Sequence, residues 1–201
     1  MPKQFIIAGI GTEIGKTVCS AIVTKALQAA YWKPVQAGNL TEGDAFWVQQ
    51  WVPGTTIFPS TYALTNPLSP HTAAELDGVT INLDAFALPT TAENLVVELA
   101  GGIMVPLNET HTNLDLIVHL GLPVILVSKN YLGSINHTLM TYEILKSRGI
   151  SIAGIIFNGP TNRSGEAFIG KYTGLPILLR VHEEEEINPR IIANYAESFS
   201  I

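Results

Sequence analysis

Lys16 and Thr17 close a glycine-rich stretch whose residue types and spacing favour phosphate chemistry. The stretch reads GIGTEIGKT over residues 9–17 and follows an apolar run at residues 5–8. A strand, a glycine-rich loop and a Gly-Lys-Thr that opens a helix are typical of a phosphate-binding loop. Backbone amides would surround the phosphates of ATP, Lys16 would reach the outer phosphates, and the Thr17 hydroxyl would hold magnesium. A plain glycine turn would leave the Lys-Thr pair unexplained.

The glycine spacing departs from the usual loop, in which four residues separate two glycines. Ile10 stands at the position of the first glycine, and Gly9 lies one residue further from Gly15. Partitioning-type ATPases carry an extra lysine five residues before the loop lysine, where this chain has Gly11. The loop therefore argues against an ATPase of that type, which switches a protein–protein or membrane interface. A terminal basic amphipathic helix for a membrane surface is also absent from the pattern.

Three further charged residues could serve such a loop. Lys33 precedes a proline at the end of an apolar run, where an isolated lysine reads more simply as a solvated strand end. Asp44 follows a glycine and reads either as a helix N-cap or as a magnesium carboxylate. Glu98 closes an apolar strand, where phosphate-loop proteins commonly place an acidic group beside the metal.

These residues need a scaffold that brings separate chain segments together. Several of the apolar runs of strand length are continuous, as expected for strands buried on both faces. Such runs recur at residues 5–8, 31–35, 94–99, 123–127, 152–157 and 176–179, and helical spacing occurs at residues 16–30, 113–120, 134–148 and 190–199. The alternation predicts an α/β fold, a P-loop NTPase-like three-layer sandwich with a mostly parallel sheet and helices on both faces. The site is then expected at the carboxyl ends of the strands.

Local signals refine this expectation. Ser134 is predicted to cap a helix after Gly133, and Arg148 with Gly149 to end it. Residues 38–92 are rich in Pro, Thr and Asn, which predicts long loops with short helices that form part of the site.

Composition limits the function classes. With 201 residues and 47% hydrophobic composition, the sequence fits a single domain over residues 1–201. A charged fraction of 14% and a net charge of −6 offer no basic footprint for nucleic acid. The first apolar run is too short for a signal segment or a membrane span, so a cytoplasmic protein is expected.

Cysteine and histidine usage gives no metal cage. Cys19 is the single cysteine, which excludes an internal disulfide, and its place in a predicted helix favours a packed thiol. His71 reads as a loop-ordering residue rather than a catalyst. The remaining histidines show no ligand spacing: His111, His119, His137 and His182.

Seven blocks spread over nearly the whole chain resemble the dethiobiotin synthetase family: GIGTEIGKT, YWKPVQAG, LSPHTAAEL, VELAGGIMVPLN, LPVILVSKNYLGSINHT, GIIFNG and TGLPIL. The resemblance implies an ATP- and magnesium-dependent cyclo-ligase that forms carbon–nitrogen bonds. Its substrates would be 7,8-diaminopelargonic acid and CO2, and its products dethiobiotin, ADP and phosphate, through a carbamate and a carbamic-phosphoric anhydride. It also implies a homodimer that holds the substrate tail at its interface, near the helix that starts at Ser134.

The resemblance assigns site residues by role. Those implied in catalysis are Lys33, Lys16 and Thr12. Those implied in nucleotide binding are Glu13, Ile14, Gly15, Lys16, Thr17, Val18, Asp44, Glu98, Leu99, Ala100, Gly101, Asn158 and Gly159. Metal ligands would be Thr17, Asp44 and Glu98, and substrate contacts would come from Thr12, Lys33, Ala37 and Asn136. Asn158 would read the adenine, although an asparagine at a strand end is also an ordinary turn residue.

Three positions depart from the common family pattern. Gly11 replaces a frequent aspartate, Leu99 replaces a glycine, and Ala37 replaces a serine that contacts substrate in some members. A leucine side chain at position 99 is expected to crowd the loop. The acidic run at residues 183–186 reads as a solvated loop near part of the base pocket, which the family places around residues 181–186. A kinase that phosphorylates a small-molecule hydroxyl and an inactive ATP-binding scaffold are the remaining alternatives.

Overall fold

A central strand with two late-sequence neighbours organises the fold, a computed structural model that describes residues 2–201. The strands are β1 (Gln4–Gly9), β2 (Ala29–Trp32), β3 (Val35–Ala37), β4 (Ile57–Phe58), β5 (Tyr62–Leu64), β6 (Asn94–Gly102), β7 (Val124–Lys129), β8 (Ile152–Asn158) and β9 (Ile177–Val181). Seven of them form one sheet in the order β4-β2-β6-β1-β7-β8-β9, and every neighbouring pair is parallel. The short strands β3 and β5 pair in a second sheet.

Helices cover both faces of the large sheet. They are α1 (Lys16–Leu27), α2 (Asp44–Trp51), α3 (Pro70–Leu76), α4 (Asn113–Leu120), α5 (Ser134–Ser147), α6 (Arg163–Thr173) and α7 (Pro189–Ser198), with a 3-10 turn at Leu83–Ala85. Ile7 of β1 packs with α1, α2 and α7, whereas Ile6 and Ala8 pack with α3, α4 and α5. The predicted three-layer α/β sandwich is therefore confirmed, and continuous apolar strands follow from burial on both sides.

The junction between α1 and β3 differs from the prediction. The helix ends at Leu27 rather than at residue 30, because Gln28 takes a left-handed conformation with φ of 49° and its N–H bonds back to Lys25 and Thr24. The predicted strand at residues 31–35 is divided, since β2 ends at Trp32 and Val35 begins a strand of the second sheet. Pro34, which lacks an N–H, lies at the break.

The helix start at α5 also differs. Gly133 is the N-cap, with φ of 101°, and Ser134 is the first helical residue, so the predicted serine cap is wrong. The Ser134 hydroxyl is buried and finds no partner within residues 2–201. The predicted helix end is confirmed, because Arg148 is the C-cap and Gly149 follows with φ of 67°.

Two regions hold more structure than predicted. Residues 38–92 contain α2, α3 and the 3-10 turn, as expected of short helices among loops, but also β4 and β5. Helix α6 was not predicted, because Gly165 and Gly170 within it weaken the helical signal of the sequence.

Candidate active site

A cleft of about 740 Å³ lies at the carboxyl ends of β1, β2 and β6. Most of the predicted site residues line it: Thr12, Glu13, Ile14, Gly15, Lys16, Thr17, Val18, Lys33, Ala37, Asp44, Glu98, Ala100 and Gly101. The cleft is also lined by residues to which the sequence analysis gave no role: Gln36, Trp47, Leu68, Ser69 and Pro70. Parallel strands end at one edge, which explains why residues far apart in sequence meet here.

Two glycines shape the loop between β1 and α1. A Cβ on Gly9 would lie 2.5 Å from Cδ1 of Ile14 and 3.0 Å from Cδ of Lys16. Gly15 has φ of 83°, and a Cβ there would lie 2.1 Å from Nδ2 of Asn158. Gly15 therefore needs the conformational freedom of glycine, whereas at Gly9 an added Cβ would displace the flexible ends of two side chains.

Lys16 folds back over this loop. Its Nζ donates to the carbonyl oxygen of Gly11 at 2.8 Å, and the residue is only 7% exposed. Burial lowers the pKa of Lys16 to about 8, with Glu98 partly opposing and Lys33 adding to the decrease. A Cβ on Gly11 would meet Cγ2 of Ile14 at 4.0 Å, so packing leaves room for a side chain at this departure from the family pattern.

Lys33 joins two carboxylates at the floor of the cleft. Its Nζ lies 2.5 Å from Oδ2 of Asp44 and 3.1 Å from Oε1 of Glu98. The Thr17 hydroxyl lies 2.5 Å from Oδ1 of Asp44 and 3.1 Å from Oε1 of Glu98, and its single proton serves one of them at a time. Lys33 is 5% exposed, which excludes the alternative of a solvated strand end.

The opposite charges in this network shift the pKa values of Lys33 and Asp44 so that each stays charged. Burial by itself disfavours a charged Lys33, but Glu98 and Asp44 outweigh it and raise the pKa of Lys33. Burial likewise opposes ionisation of Asp44, yet Lys33 and the Thr17 hydroxyl lower the pKa of Asp44. Both partners therefore remain charged at neutral pH.

Asp44 reaches the network from the start of α2. Gly43 is the N-cap, and Asp44 is the first helical residue without a capping bond from its side chain. The interpretation of Asp44 as an N-cap is therefore wrong. A carboxylate in the first turn still benefits from the helix dipole.

Leu99 lies on the other side of β6 from Glu98. Its side chain is 1% exposed and packs in the core with α3 and α4. The expectation that it crowds the loop is wrong, because adjacent strand residues point to opposite faces.

The other predicted residues lie outside the cleft. Asn158 packs behind the loop, where its Nδ2 donates to the carbonyl oxygen of Ile14 at 2.7 Å. Gly159 follows with φ of 85° against the Lys129 side chain. Asn136 lies on α5 and lines a separate hollow of about 680 Å³ with Tyr131 and other residues.

The predictions for Cys19 and His71 concern structure. Cys19 is fully buried in α1, and burial raises the pKa of its thiol to about 12, which confirms a packed thiol. His71 contacts the side chains of Ser69 and Thr72 at the start of α3, as expected of a loop-ordering residue.

One buried contact of the site was missed by sequence reasoning. Tyr31 of β2 donates its hydroxyl to Oε2 of Glu98 at 2.9 Å. An aromatic residue in an apolar strand reads as core, and only the pairing of β2 with β6 brings the two side chains together.

A parallel sheet with a Gly-Lys-Thr loop at its carboxyl edge defines a P-loop NTPase. The fold is similar to that of a putative plasmid partition protein from Borrelia burgdorferi B31 bound to AMPPNP, with TM-score 0.58, 12% identity, and coverage of 98% of this chain and 95% of that chain. It is also similar to the MinD cell division protein of Aquifex aeolicus, with TM-score 0.56, 10% identity, and coverage of 97% and 95%. The AAA domain family model matches residues 3–190.

The chain belongs to the dethiobiotin synthetase family. It is 48% identical over 201 residues to the ATP-dependent dethiobiotin synthetase BioD of Christiangramia forsetii, covering 99% of this chain and 97% of the relative. It is 49% identical to that of Cytophaga hutchinsonii over 96% of this chain and 95% of the relative. The predicted family is thereby confirmed. Among residues 2–201, no helix has the length and apolar character needed to cross a membrane.

Proposed function

We propose that this chain is an ATP-dependent dethiobiotin synthetase, with residues 1–201 acting as one synthetase domain. The observation that carries the proposal is the meeting of Lys33, Asp44 and Glu98 beside the phosphate loop. The proposal also draws on relatives that carry this activity in their names at 48% and 49% identity.

Two lysines of the cleft would stabilise the negative charge that develops during the reaction. An uncharged substrate amine attacks CO2 and loses a proton to give a carbamate, which Lys33 and Lys16 stabilise. A carbamate oxygen attacks the γ-phosphorus of ATP, and the bond to the ADP oxygen breaks. The second amine then attacks the carbamoyl carbon, phosphate leaves with the bonding electrons, and the amine proton passes to water. Thr12 would position the diamine or carbamate, and Glu13 would lie near the phosphates.

Positioning supplies most of the rate in such a scheme. A well-oriented intramolecular reaction is worth roughly 7–11 kcal/mol, and one preorganised donor about 3–4 kcal/mol. Ala37 lies in the cleft but cannot hydrogen-bond through its side chain. The substrate contact that a serine would make is therefore left to neighbouring backbone groups.

The residues fit a magnesium ion. Thr17, Asp44 and Glu98 present a hydroxyl and two carboxylates, which are the hard oxygen donors that Mg²⁺ prefers. Within residues 2–201, no group of three or more His, Cys, Asp or Glu is placed to hold a metal. Phosphate oxygens and water would complete the six oxygens of magnesium. When bound, the ion would neutralise charge on the transferred phosphoryl group.

The adenine would lie beside the ends of β8 and β9. The Asn158 amide nitrogen is already bonded to the loop, so its Oδ1 would accept from the adenine amino group. Gly159 and residues 181–186 would form the rest of this pocket. The alternative is that Asn158 only supports the loop. Comparing ATP with GTP affinity in Asn158→Ala separates the two roles, because only an adenine contact would change the preference for ATP.

A homodimer would complete the substrate site. Leu132 is fully exposed and Tyr131 is 41% exposed just before α5, and Met140 within α5 is 55% exposed. Such apolar exposure is typical of an interface. The substrate carboxylate would bind near Asn136, where a helix N-terminus favours an anion. The partners would be small molecules, and the predicted cytoplasmic location stays a prediction.

One assay tests the function against its alternatives. Protein, Mg²⁺, ATP, bicarbonate and the diamino acid are mixed, and ADP and cyclic product are measured by mass spectrometry. The synthetase reading requires bicarbonate-dependent ring product. ADP formation without it would support a partitioning-type ATPase. The lack of both would support an inactive scaffold or a kinase, whose hydroxyl acceptor the mixture does not contain.

Nucleotide binding should take up a proton above neutral pH. The pKa of Lys16 is lowered to about 8 without ligand, and nearby phosphates must raise it. Binding at pH 8 should therefore draw in about half a proton, and close to one at pH 9. Calorimetry with a non-hydrolysable ATP analogue in buffers of different ionisation enthalpy measures this uptake.

The matched control is Lys16→Arg, because a guanidinium stays protonated over this range. Its binding should show no pH-dependent uptake of this size. Equal uptake by both proteins would assign the proton to another group.

A further inference from the structure

A buried hydroxyl beside the candidate metal site has no part in the proposed reaction. Tyr31 is fully buried, and its hydroxyl donates to Oε2 of Glu98 at 2.9 Å. The other oxygen, Oε1, lies 3.1 Å from both Oγ1 of Thr17 and Nζ of Lys33. The two oxygens of this carboxylate therefore have different surroundings, one in the core and the other at the cleft.

The sheet fixes this arrangement. Tyr31 pairs with Val96 in the register of β2 and β6. Glu98 lies two residues after Val96 and so on the same face. The tyrosine ring packs in the core cluster that contains Cys19 and Val48. An ionised carboxylate only accepts hydrogen bonds, so the hydroxyl is the donor and Oε2 is held.

We propose that Tyr31 is a positioning residue that leaves Glu98 one available oxygen and thereby makes the site prefer Mg²⁺ to Ca²⁺. Mg²⁺ requires near-octahedral geometry with few protein ligands, whereas Ca²⁺ takes 6–8 oxygens and accepts both oxygens of a carboxylate. The buried hydroxyl holds Oε2 of Glu98 in the core, so Oε1, which lies beside Thr17 and Lys33, is the oxygen presented to the cleft. The inference rests on the proposed role of Glu98 at the metal.

The partners of a metal ligand are known to affect affinity strongly. Removing such an outer contact typically changes metal affinity or activity 10–100-fold. Without its hydroxyl partner, Glu98 can turn or use both oxygens. Both changes disfavour the smaller, stricter ion, and the second favours the larger one.

Tyr31→Phe tests the proposal, because phenylalanine keeps the ring and removes only the hydroxyl. The full chain is titrated with a non-hydrolysable ATP analogue by calorimetry over a series of free Mg²⁺ concentrations, and separately over free Ca²⁺. The expected result is an increase of about tenfold in the Mg²⁺ concentration that half-maximally tightens binding. The value for Ca²⁺ should stay constant or fall, so the preference for Mg²⁺ drops about tenfold.

Two further variants make the outcome decisive. Tyr142→Phe removes another buried hydroxyl, one that donates to the carbonyl oxygen of Thr173 at 3.2 Å, outside the cleft. It should leave the metal preference unchanged. Glu98→Gln tests the metal role itself and should weaken the effect of both ions.

The variants distinguish the positioning role of Tyr31 from the metal role of Glu98. If Tyr31→Phe keeps the wild-type preference, or weakens both ions equally, while Glu98→Gln weakens them, the positioning role is overturned and the metal assignment stands. If Glu98→Gln leaves both ions unaffected, the proposed metal role fails, and the inference fails with it.

Discussion

Lys33→Met is expected to lose ring formation and to lower the free energy of unfolding by about 3–5 kcal/mol. The methionine side chain has similar length but no charge, so it leaves two carboxylates without their shared partner. Asp44 and Glu98 both lie against Nζ of Lys33, and Glu98 is 1% exposed. Product formation should fall by about 10²–10³-fold or more, since a preorganised donor is lost from the reacting centre.

Nucleotide binding should be largely kept in this variant, because the loop itself is unchanged. Urea unfolding measures the stability, product mass measures the chemistry, and calorimetry with the ATP analogue measures binding. Lys171→Met is a suitable control, since Lys171 is exposed on α6 and its loss should change stability by less than about 0.5 kcal/mol.

A double-mutant cycle identifies the cause of the destabilisation. Adding Glu98→Gln to Lys33→Met removes one of the uncompensated charges and should recover part of the lost stability. If the double variant is less stable by the sum of the two single effects, the ion pair is not what stabilises this region. Normal turnover of Lys33→Met would contradict the catalytic assignment.

Lys16→Met is expected to abolish turnover and yet to stabilise the nucleotide-free protein at pH 7. Burial lowers the pKa of Lys16 from 10.5 to about 8. The folded state therefore holds the proton less tightly than the unfolded chain does. Below pH 8 this cost is fully present, and its removal should raise the free energy of unfolding by up to about 3 kcal/mol.

The gain should fade as the pH rises. Between pH 8 and 10.5 the folded protein releases the proton from Lys16 while the unfolded chain keeps it, so the wild type approaches the variant in stability. Urea unfolding at pH 7 and pH 10 measures the difference, with Lys25→Met as an exposed control on α1. A variant that is less stable than the wild type at pH 7 would contradict this account.

The same Lys16→Met variant should lose activity although it gains stability. Lys16 is the loop residue whose Nζ lies over the Gly11 carbonyl, where a phosphate would replace backbone as its partner. Removing it leaves the phosphates without their cation. The two lysines of the cleft thus have opposite effects on the free energy of unfolding. Lys33 stabilises the folded protein, whereas Lys16 destabilises it and is kept for function.

Local patterns predicted the parts of the site that depend on neighbouring residues. The phosphate loop needs only its own glycines, lysine and threonine, and the strand that precedes it ends at Gly9, one residue after the apolar run. Lys33 and Glu98 could be placed at one edge because parallel strands share their carboxyl ends. The face of Leu99 could also have been derived, since Glu98 in the cleft sends the next residue to the opposite side.

Other features depend on contacts that the sequence does not encode locally. Asn158 fills the space behind Gly15, although the two residues lie far apart in the sequence. Its bond to the Ile14 carbonyl was therefore not predictable from either segment. The position of Asp44 at the first turn of α2 depends on how residues 38–92 fold over the sheet. Tyr31 is a partner of Glu98 only because β2 pairs with β6, a pairing that the sequence does not show.

The central position of β1 has a consequence for synthesis on the ribosome. Its two neighbours, β6 and β7, begin at Asn94 and Val124, so both flanks of the loop strand emerge long after the strand itself. At a translation rate of about 5–20 residues per second, the wait is on the order of 5–25 seconds. Until then the nascent chain carries an apolar strand with two unpaired edges, which are open to pairing with other chains.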